Sequence, residues 1–373
     1  MIVILKPNFD KQHALYKKVH AYLSRLPNIT LNEHQEHGKQ QVLTEFYLIG
    51  DTATLSKEEI ESLPGVERVV RISDEYRILG RHSDEHRPSS FDYNGVRFGQ
   101  DNLNIFAGLC AVSTPAHVEH MMKSLQEHGQ VCTRMGAYKP RTSPYSFQGH
   151  GASCLPYVFE LAGKYGIKVI AMEVTHDRHI DEIQHALAAT GNPTGVMLQI
   201  GTRNTQNFEL LKKAGRQHQF PVLLKRGFGI TLEESINAAE YMASEGNTKI
   251  IFGLRGMKTN MGDPHRNFID FAHVPVLRRL TRMPVCIDPS HSVGSRDADP
   301  NGMLDMMQVT AQGIIAGANM VLVDFHPEPK QALVDGPQTL TLRELPYFLE
   351  DVNIARMAYE KRLELARTFA TTV

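Results

Sequence analysis

Apolar and polar residues alternate along the chain with two different patterns, one before residue 76 and one after residue 103. In the first stretch, short apolar runs predict four strands, and Leu15, Val19 and Leu23 recur at the four-residue spacing of a helix. Ser56, followed three residues later by Glu59, is the signature of a second helix start, and Pro64-Gly65 ends that helix. The predicted strands are 1–6, 29–33, 41–49 and 66–72, and the first helix is 10–26.

This βαββαβ order is typical of a small ferredoxin-like α+β domain, which we assign to residues 1–75. Such a domain serves as a regulatory module, a subunit interface or a plain extension. Residues 76–103 are rich in Arg, His, Asp and Ser, and we predict that they form a linker.

Eight short apolar runs follow residue 103, and each gap between them leaves room for one helix. The clearest helical patterns lie at 204–214 and 231–244. Eight strand–helix units predict an α/β protein whose residues 104–373 form a closed (β/α)8 TIM barrel. A doubly wound open sheet is the alternative that this pattern leaves open. The predicted strands are 105–111, 131–136, 167–173, 196–200, 221–225, 249–254, 284–288 and 320–325.

Polar side chains stand at the ends of these apolar runs, where a barrel places its active site. Each of them alone has an ordinary explanation as a surface, salt-bridged or buried residue. Because the strand interiors stay apolar, however, the set as a whole predicts one cavity in which cations face one another without partners. The set is Cys110, Lys139, Arg141, Glu173, Gln199, Arg203, Lys225, Arg226, Arg255, Asp288, His291, Asp324, His326 and Asp335.

The loop from Gly136 to Gly149 carries the densest group of cations and hydroxyls. Pro140 fixes its own backbone and keeps Lys139 out of the helical region, so we predict a short, stiff loop. A planar guanidinium and a point-charge ammonium held in this way suit a phosphate group. A solvated basic loop is the alternative reading. The loop's donors are Lys139, Arg141, Thr142 and Ser143.

A thiol, an imidazole and two carboxylates come from three other strand ends: Cys110, His291, Asp324 and Asp335. Ligands of these types predict a site for a divalent transition metal with room for a water or substrate oxygen.

Charge and cysteine usage narrow the function further. The net charge is −1, which gives no electrostatic case for nucleic acid or for an anionic membrane surface. No apolar run approaches the roughly 20 residues of a membrane helix, and no signal peptide is visible, so we expect a cytoplasmic protein. The four cysteines lie far apart and form no CxxC pair, which favours reduced thiols.

Six ordered motifs resemble the type I 3-deoxy-D-arabino-heptulosonate-7-phosphate (DAHP) synthases, in the subgroup with an N-terminal ferredoxin-like domain. The Lys-Pro-Arg-Thr loop marks, within that family, the use of erythrose 4-phosphate. The motifs are Ala107-Gly-Leu-Cys-Ala-Val112, Lys139-Pro-Arg-Thr-Ser-Pro-Tyr-Ser-Phe-Gln-Gly149, Leu198-Gln-Ile-Gly-Thr-Arg-Asn204, Pro221-Val-Leu-Leu-Lys-Arg-Gly227, Asp288-Pro-Ser-His291, and His326-Pro-Glu-Pro329 with Asp335-Gly-Pro337.

The resemblance implies a metal-dependent condensation of phosphoenolpyruvate with an aldose phosphate, with release of inorganic phosphate. It implies that Lys139, Cys110 and His291 are catalytic and that a divalent Mn²⁺, Co²⁺, Fe²⁺ or Zn²⁺ is bound by Cys110, His291, Asp324 and Asp335. Phosphoenolpyruvate would be held by Arg134, Lys139, Arg203, Lys225 and Arg255, with Glu173 beside it. The aldose phosphate would be held by Lys139, Arg141, Thr142 and Ser143.

Several positions depart from the family pattern. Leu109, Ser113, Met135 and His176 differ from the usual Pro, Glu, Gly and Asp, and Asp324 stands where a metal-binding glutamate is usual. His326, two residues on, is therefore a rival metal ligand. We expect a DAHP synthase, and the alternatives are a paralogue that uses another aldehyde phosphate and a catalytically weak scaffolding barrel. A homodimer or homotetramer is implied by the resemblance.

Overall fold

The computed structural model describes residues 1–9, 11–37, 41–52, 55–70, 76–82 and 88–370. The chain folds as two compact units, Met1–His86 and Arg87–Val373. The division between them falls inside the segment that we predicted as a linker, and the predicted domain bounds themselves stay a prediction.

The first unit is a four-stranded antiparallel sheet with two helices, as the sequence predicts. The strand order in the sheet is β2-β3-β1-β4, which is that of a ferredoxin-like fold. The elements are β1 (Ile2–Leu5), α1 (Ala14–Leu23), β2 (Ile29–His37), β3 (Val42–Gly50), α2 (Lys57–Glu61) and β4 (Val66–Val70).

The buried face of helix α1 differs in one position from the face that residue spacing predicted. Val19 and Leu23 are buried as predicted, but Tyr16 is buried with them, whereas Leu15 is half-buried. The helix begins at Ala14, where the His13 side chain accepts a hydrogen bond from Leu15 N at 3.2 Å. Asp10, our predicted start, lies outside the described residues, as does 71–72 of the last predicted strand.

The second unit is a barrel of parallel strands surrounded by helices. Its elements are β5 (Phe91–Tyr93), β6 (Val96–Phe98), β7 (Asn104–Leu109), α3 (Pro115–Glu127), β8 (Cys132–Met135), α4 (Leu155–Lys164), β9 (Val169–Val174), α5 (Asp177–Ala189), β10 (Gly195–Ile200), α6 (Phe208–Arg216), β11 (Val222–Lys225), α7 (Leu232–Ser244), β12 (Ile250–Leu254), α8 (His273–Leu280), β13 (Val285–Ile287), α9 (Pro289–Val293), α10 (Asp305–Ile315), β14 (Met320–His326), β15 (Leu340–Thr341) and α11 (Leu345–Ala370).

The barrel closes because β14 pairs in parallel with both β13 and β7. All eight predicted strands are present within a few residues of their expected bounds, and closure excludes the open sheet. The predicted helix 231–244 is also present as α7, with Thr231 as its N-cap. Helix α6 starts later than predicted, because residues 202–204 form a separate 3-10 turn and Asn207 caps the helix.

A hairpin, β5–β6, lies within the segment predicted as a linker. Val96 and Phe98 belong to the same buried cluster as Phe106 of β7 and Met320 of β14. These residues stand early in their strands, so the hairpin covers the amino-terminal end of the barrel. Because that end is covered, the opposite end is the one left for a site.

Among the described residues, no helix combines the length and the apolar character needed to cross a membrane.

Candidate active site

The polar residues of the site stand one layer above the apolar core of the barrel. Since side chains two residues apart on a strand share one face, each residue that follows a core position by two also points inward. The core positions are Cys132, Ala171, Leu223, Cys286 and Leu322, and the residues two places further on are Arg134, Glu173, Lys225, Asp288 and Asp324.

Four potential metal ligands meet at this end of the barrel. Cys110, His291, Asp324 and Asp335 each offer one ligand atom, and these atoms all lie within 4.8 Å of one another. Cys110 Sγ is 3.1 Å from Asp335 Oδ2 and 3.7 Å from His291 Nε2. A thiol, an imidazole and two carboxylates suit a borderline transition metal, so these residues fit a divalent ion.

Asp288 orients the imidazole of His291. Asp288 Oδ1 lies 3.1 Å from His291 Nδ1 and accepts the His291 backbone N–H at 3.1 Å. The Nδ1–H of the ring therefore points to a carboxylate, and Nε2 faces Cys110 and Asp335. A carboxylate behind the ring is the usual partner of a metal-ligating histidine.

The acidic groups impose a strong local field on the imidazole. Burial works to lower the pKa of His291, but the charges of Asp288, Asp324 and Cys110 outweigh it and raise that pKa to about 10. Burial works to raise the pKa of Asp335. Hydrogen bonding and charge from His291, together with the charge of Arg266, outweigh burial and hold that pKa well below its usual range. The site is thus built to hold a positive charge at its centre.

Two cations expected to lack partners, Lys139 and Lys225, are in fact ion-paired, which corrects the sequence prediction, and Arg134 is paired as well. Lys139 Nζ lies 3.0 Å from Glu173 Oε2, Lys225 Nζ lies 2.5 Å from Asp288 Oδ2, and Arg134 Nη1 contacts Asp324 Oδ1. All six side chains are buried. The physical reason is that a buried charge without a counter-ion is costly, so strand ends supply carboxylates as well as cations.

Glycines create the space that these pairs need. Gly108 lies in register between Asp324 and Arg134 on the three adjacent strands, so Arg134 reaches Asp324 without an intervening side chain. A Cβ on Gly201 would lie 2.0 Å from Glu173 Oε1, so the Glu173 carboxylate depends on the missing side chain there.

Lys139 stays charged in this setting. Burial works to lower its pKa, but the charges of Cys110 and Glu173 outweigh it and raise the pKa above the usual value of a lysine. Lys139 Nζ is also 3.4 Å from Cys110 Sγ, which links the basic loop to the ligand group. The same ammonium therefore touches both halves of the site.

Arg255 and Arg203 form the other end of the site. Arg255 stacks on Phe228 at 4.7 Å, and Arg203 approaches the same ring at 5.7 Å. Arg255 is buried, and within the part of the chain that the structure describes its Nη1 has no hydrogen-bond partner. Burial lowers the pKa of Arg255 to about 10, so it remains a cation at neutral pH. A buried donor without a partner indicates a place for a ligand oxygen.

The Gly136–Gly149 loop is non-helical, as predicted, and it folds back on itself. Lys139 N donates to Gln148 O at 2.9 Å, and Gly151 N donates to Ala137 O at 2.9 Å. Tyr138 stacks on His179 with ring centroids 3.8 Å apart and donates to Glu182 at 2.6 Å. These contacts hold the start of the loop in place.

A cavity of about 270 Å³ joins the loop, the cations and the ligand group. Most predicted binding residues line it together. They are Arg134, Lys139, Arg141, Thr142, Ser143, Glu173, Arg203, Lys225, Arg255, His291 and Asp335, and Arg203 Nη2 also donates to Thr142 Oγ1 at 3.1 Å.

Arg226 and His326 were expected at the cavity but have other partners. Arg226 donates to Asp270 at 3.3 Å and contacts His273 Nδ1 at 2.9 Å. His326 Nε2 lies 3.0 Å from Ser113 Oγ, and its Nδ1 accepts from Glu328 N at 3.0 Å. His326 is therefore outside the ligand group, which favours Asp324 over its rival.

Two residues of the site escaped the sequence reasoning. Arg266 lines the cavity and donates to Asp335 Oδ1 at 3.0 Å, and Gln338 donates to Asp324 Oδ2 at 2.6 Å. Both come from segments without an apolar run before them, so no strand-end pattern marked them. Asp288 was among the predicted site residues, but its contact with His291 was not predicted. The available signal was the Asp-Pro-Ser-His motif, in which the acid stands three residues before the histidine.

The site and fold agree with comparisons against known proteins. Residues 78–358 match the DAHP synthetase I family, and residues 1–74 match the DAHP synthase ferredoxin-like domain. The chain belongs to the DAHP synthetase I family. The family match covers most of the barrel, including every residue of the ligand group.

Similar proteins cover between 67% and 96% of the chain. The phospho-2-dehydro-3-deoxyheptonate aldolase of Thermotoga maritima is 37% identical over 342 residues, which are 91% of this chain and 93% of that protein. A crystal structure of a phospho-2-dehydro-3-deoxyheptonate aldolase (DAHP synthase) from Thermotoga maritima is 34% identical, has a TM-score of 0.69 and covers 96% of this chain and 97% of its own. A 2-dehydro-3-deoxyphosphooctonate aldolase of Rhodopseudomonas palustris is 28% identical and covers 67% of this chain and 86% of its own length.

Proposed function

We propose that this chain is a 3-deoxy-7-phosphoheptulonate synthase, which condenses phosphoenolpyruvate with erythrose 4-phosphate and releases phosphate at the first step of the shikimate pathway. The observation that carries the proposal is the junction of the Lys-Pro-Arg-Thr loop with the ligand group: Lys139 Nζ lies 3.4 Å from Cys110 Sγ. The similarity of this chain to the Thermotoga maritima heptonate aldolase favours erythrose 4-phosphate over the aldehyde phosphate of a specialised paralogue.

The phosphate of phosphoenolpyruvate would lie between Lys225, Arg255 and Arg203. Arg255 lines the cavity together with the other two cations, and among the described residues its buried Nη1 has no hydrogen-bond partner. Arg134 and Lys139 would hold the carboxylate, since they line the same cavity from β8 and the loop that follows it. Charge-assisted hydrogen bonds from several fixed donors give both strength and orientation.

The aldose phosphate would bind at the outer part of the loop. Arg141 is half-buried, whereas Thr142 and Ser143 are exposed, so the second phosphate would sit nearer to solvent than the first. Lys139 lies between the two phosphate positions and brings the aldehyde carbon toward the enol carbon.

The chemistry follows from these positions. The enol carbon forms a bond to the aldehyde carbon, water adds to the electron-poor C2, and the C2–O bond to phosphate breaks. Lys139 would donate the proton that neutralises the new alkoxide, because its raised pKa keeps it protonated in contact with Glu173. The surrounding cations stabilise the negative charge that develops on the oxygens.

A divalent Mn²⁺, Co²⁺, Fe²⁺ or Zn²⁺ would be held by Cys110, His291, Asp324 and Asp335. When bound, it would supply Lewis-acid polarisation of the aldehyde oxygen. Asp288 keeps His291 Nε2 directed at that position through its contact with Nδ1.

A phosphate-release assay tests the proposal. The protein is incubated with phosphoenolpyruvate and a panel of four-carbon and five-carbon aldose phosphates, with and without added Mn²⁺ or Co²⁺. We expect rapid release with erythrose 4-phosphate and slow release with the five-carbon sugars. A preference for another aldehyde would favour the specialised paralogue, and no release with any aldehyde would leave the scaffolding barrel.

The assembly and setting belong to the same proposal. The protein would act in the cytoplasm as a homodimer or homotetramer, on small phosphorylated substrates and not on nucleic acid. The ferredoxin-like unit would serve regulation or subunit contacts.

A further inference from the structure

Gln338 connects two of the potential metal ligands. Its Nε2 donates to Asp324 Oδ2 at 2.6 Å, and its Oε1 accepts from Arg266 Nη1 at 3.0 Å. The same Arg266 nitrogen donates to Asp335 Oδ1 at 3.0 Å. A continuous chain of hydrogen bonds therefore runs from one carboxylate to the other, and Gln338 is only 2% exposed.

The network fixes which way the amide points. A carboxylate only accepts hydrogen bonds, and a guanidinium only donates them. The amide oxygen must therefore face Arg266, and the amide nitrogen must face Asp324. Arg266 in this way holds the donor of Gln338 on the carboxylate, and no rotated amide satisfies both neighbours.

Asp324 is shorter than the glutamate that is usual at this position, so the direction of its carboxylate depends more strongly on a neighbouring hydrogen-bond donor. Its Oδ1 is engaged by Arg134, so Oδ2 is the oxygen that this ion pair leaves available to the ligand group. Oδ2 can accept one bond from Gln338 and still offer a second lone pair to a cation. The carboxylate would otherwise be free to rotate toward Arg134 with both oxygens.

We propose that Gln338, oriented by Arg266, is a positioning residue that holds Asp324 Oδ2 in place for the metal ion. This inference rests on the metal site of the proposed function. Outer partners of metal ligands are worth about 10- to 100-fold in metal affinity, which sets the expected size of the effect.

The test measures metal binding directly rather than turnover. Chelator-stripped protein is titrated with Mn²⁺ by calorimetry, and with Co²⁺ by visible absorption, which reports the ligand set. Gln338→Met removes both hydrogen bonds at nearly constant volume. Gln338→Asn keeps an amide but shortens its reach by about 1.5 Å, and it serves if the first variant does not fold.

Gln100→Met is the matched control. Gln100 is also a buried glutamine of the second unit, and its Nε2 donates to Met283 O at 2.7 Å, in the part of the unit that includes the β5–β6 hairpin. We expect it to lower the Tm and leave the metal Kd and the Co²⁺ spectrum unchanged. The Gln338 variants should raise the Kd about 10- to 100-fold and alter the spectrum.

The outcomes distinguish failure of the positioning role from failure of the metal site. Wild-type metal affinity in both Gln338 variants would overturn the positioning role while leaving the metal site intact. Equal weakening in Gln338→Met and Gln100→Met would also overturn it, because the effect would then be general destabilisation. Failure of the wild-type protein to bind either ion would remove the metal site itself, and this role with it.

Discussion

Arg141 and Lys139 differ in their burial within one loop, and the proposed function gives them different roles. Arg141 is half-buried at the cavity edge beside exposed Thr142 and Ser143, whereas Lys139 is buried against Glu173 and Cys110. A cation at the edge can serve only the ligand that binds there, while Lys139 can serve both. The two residues should therefore fail in different ways when they are replaced.

Arg141→Ala should raise the KM for the aldose phosphate far more than the KM for phosphoenolpyruvate. A charge-assisted contact contributes about 1.5–3 kcal/mol, which corresponds to roughly ten- to a hundredfold. Steady-state kinetics with each substrate varied in turn measure the split. Arg216→Ala, at an exposed arginine of α6 paired with Glu245, is the control and should change neither value. Equal damage to both substrates would refute the assignment.

Lys139→Met should reduce kcat by about 10²- to 10⁴-fold, the range of a lost general acid. Binding of phosphoenolpyruvate, measured by calorimetry, should survive in part because Lys225 and Arg255 remain. The change leaves Glu173 buried without its partner, so thermal unfolding must accompany the kinetics. Lys123→Met, at an exposed lysine of α3, is the control. A near-normal kcat in folded Lys139→Met would exclude the acid role.

Asp324→Glu should raise the affinity for Mn²⁺ or Co²⁺, since the added methylene extends the carboxylate by about 1.5 Å. Carboxylate–metal distances vary by only about 0.2 Å, so the shorter aspartate has little freedom to compensate. Asp324→Ala should weaken binding by at least about tenfold. His326→Ala should leave it unchanged, because His326 Nε2 faces Ser113. Full affinity in Asp324→Ala would refute the ligand set.

At the level of elements, the site depends on strand ends, whereas the helices supply much of the local stability. Helix α7 is a clear case, because Thr231 accepts from Glu234 N at 3.1 Å and Glu234 Oε2 accepts from Thr231 N at 2.7 Å. This capping box satisfies two backbone donors that the helix itself leaves unpaired. It stands at the end of the loop after β11, two residues from Gly229 with its φ of +67°.

Thr231→Ala should lower the free energy of unfolding by about 1 kcal/mol, because one helix donor loses its partner. Denaturant unfolding followed by circular dichroism measures the loss. Thr231→Ser keeps the hydroxyl and should behave like the wild-type protein. If Thr231→Ala and Thr231→Ser are equally stable, the cap contributes nothing to the fold.

At the level of the whole molecule, closure of the barrel brings residues distant in sequence into one charged site. Cys110 and Asp335 are 225 positions apart, and their side chains lie 3.1 Å from each other. The acidic groups gathered there raise the pKa of His291 to about 10, after outweighing its burial. A bound cation would relieve the same concentration of negative charge, and it would do so only in the folded chain.

Chelation should therefore abolish turnover and lower the Tm, and Mn²⁺ or Co²⁺ should restore both. A ligand at a hundred times its Kd stabilises the folded state by about 2.7 kcal/mol, which gives a measurable shift of the Tm. Scanning fluorimetry across metal concentrations follows it. Asp324→Ala should show a smaller shift at each concentration. Undiminished activity in excess chelator, with no metal-dependent Tm, would contradict the metal-dependent mechanism.

The (β/α)8 barrel, the ferredoxin-like unit and the family were predictable from the amino-acid sequence, although the pattern left an open sheet as the alternative until closure of the strands excluded it. Local patterns carry these features: apolar runs mark Ile250–Leu254 as a buried strand, and Pro140 keeps its loop out of a helix. Polar residues after each run also predicted most of the side chains that meet, because all strand ends of a barrel share one face, but Arg226 and His326 have other partners.

How those side chains pair could not be predicted before the strands were assembled. Lys225 and Asp288 lie 63 positions apart, and Arg134 and Asp324 lie 190 apart. Each pair depends on strand register, and the Arg134–Asp324 pair also spans Gly108 on the strand between them, which periodicity does not encode. Gln338 and Arg266 come from loops whose path depends on the folded barrel, so their place beside Asp324 emerged only when the chain closed on itself.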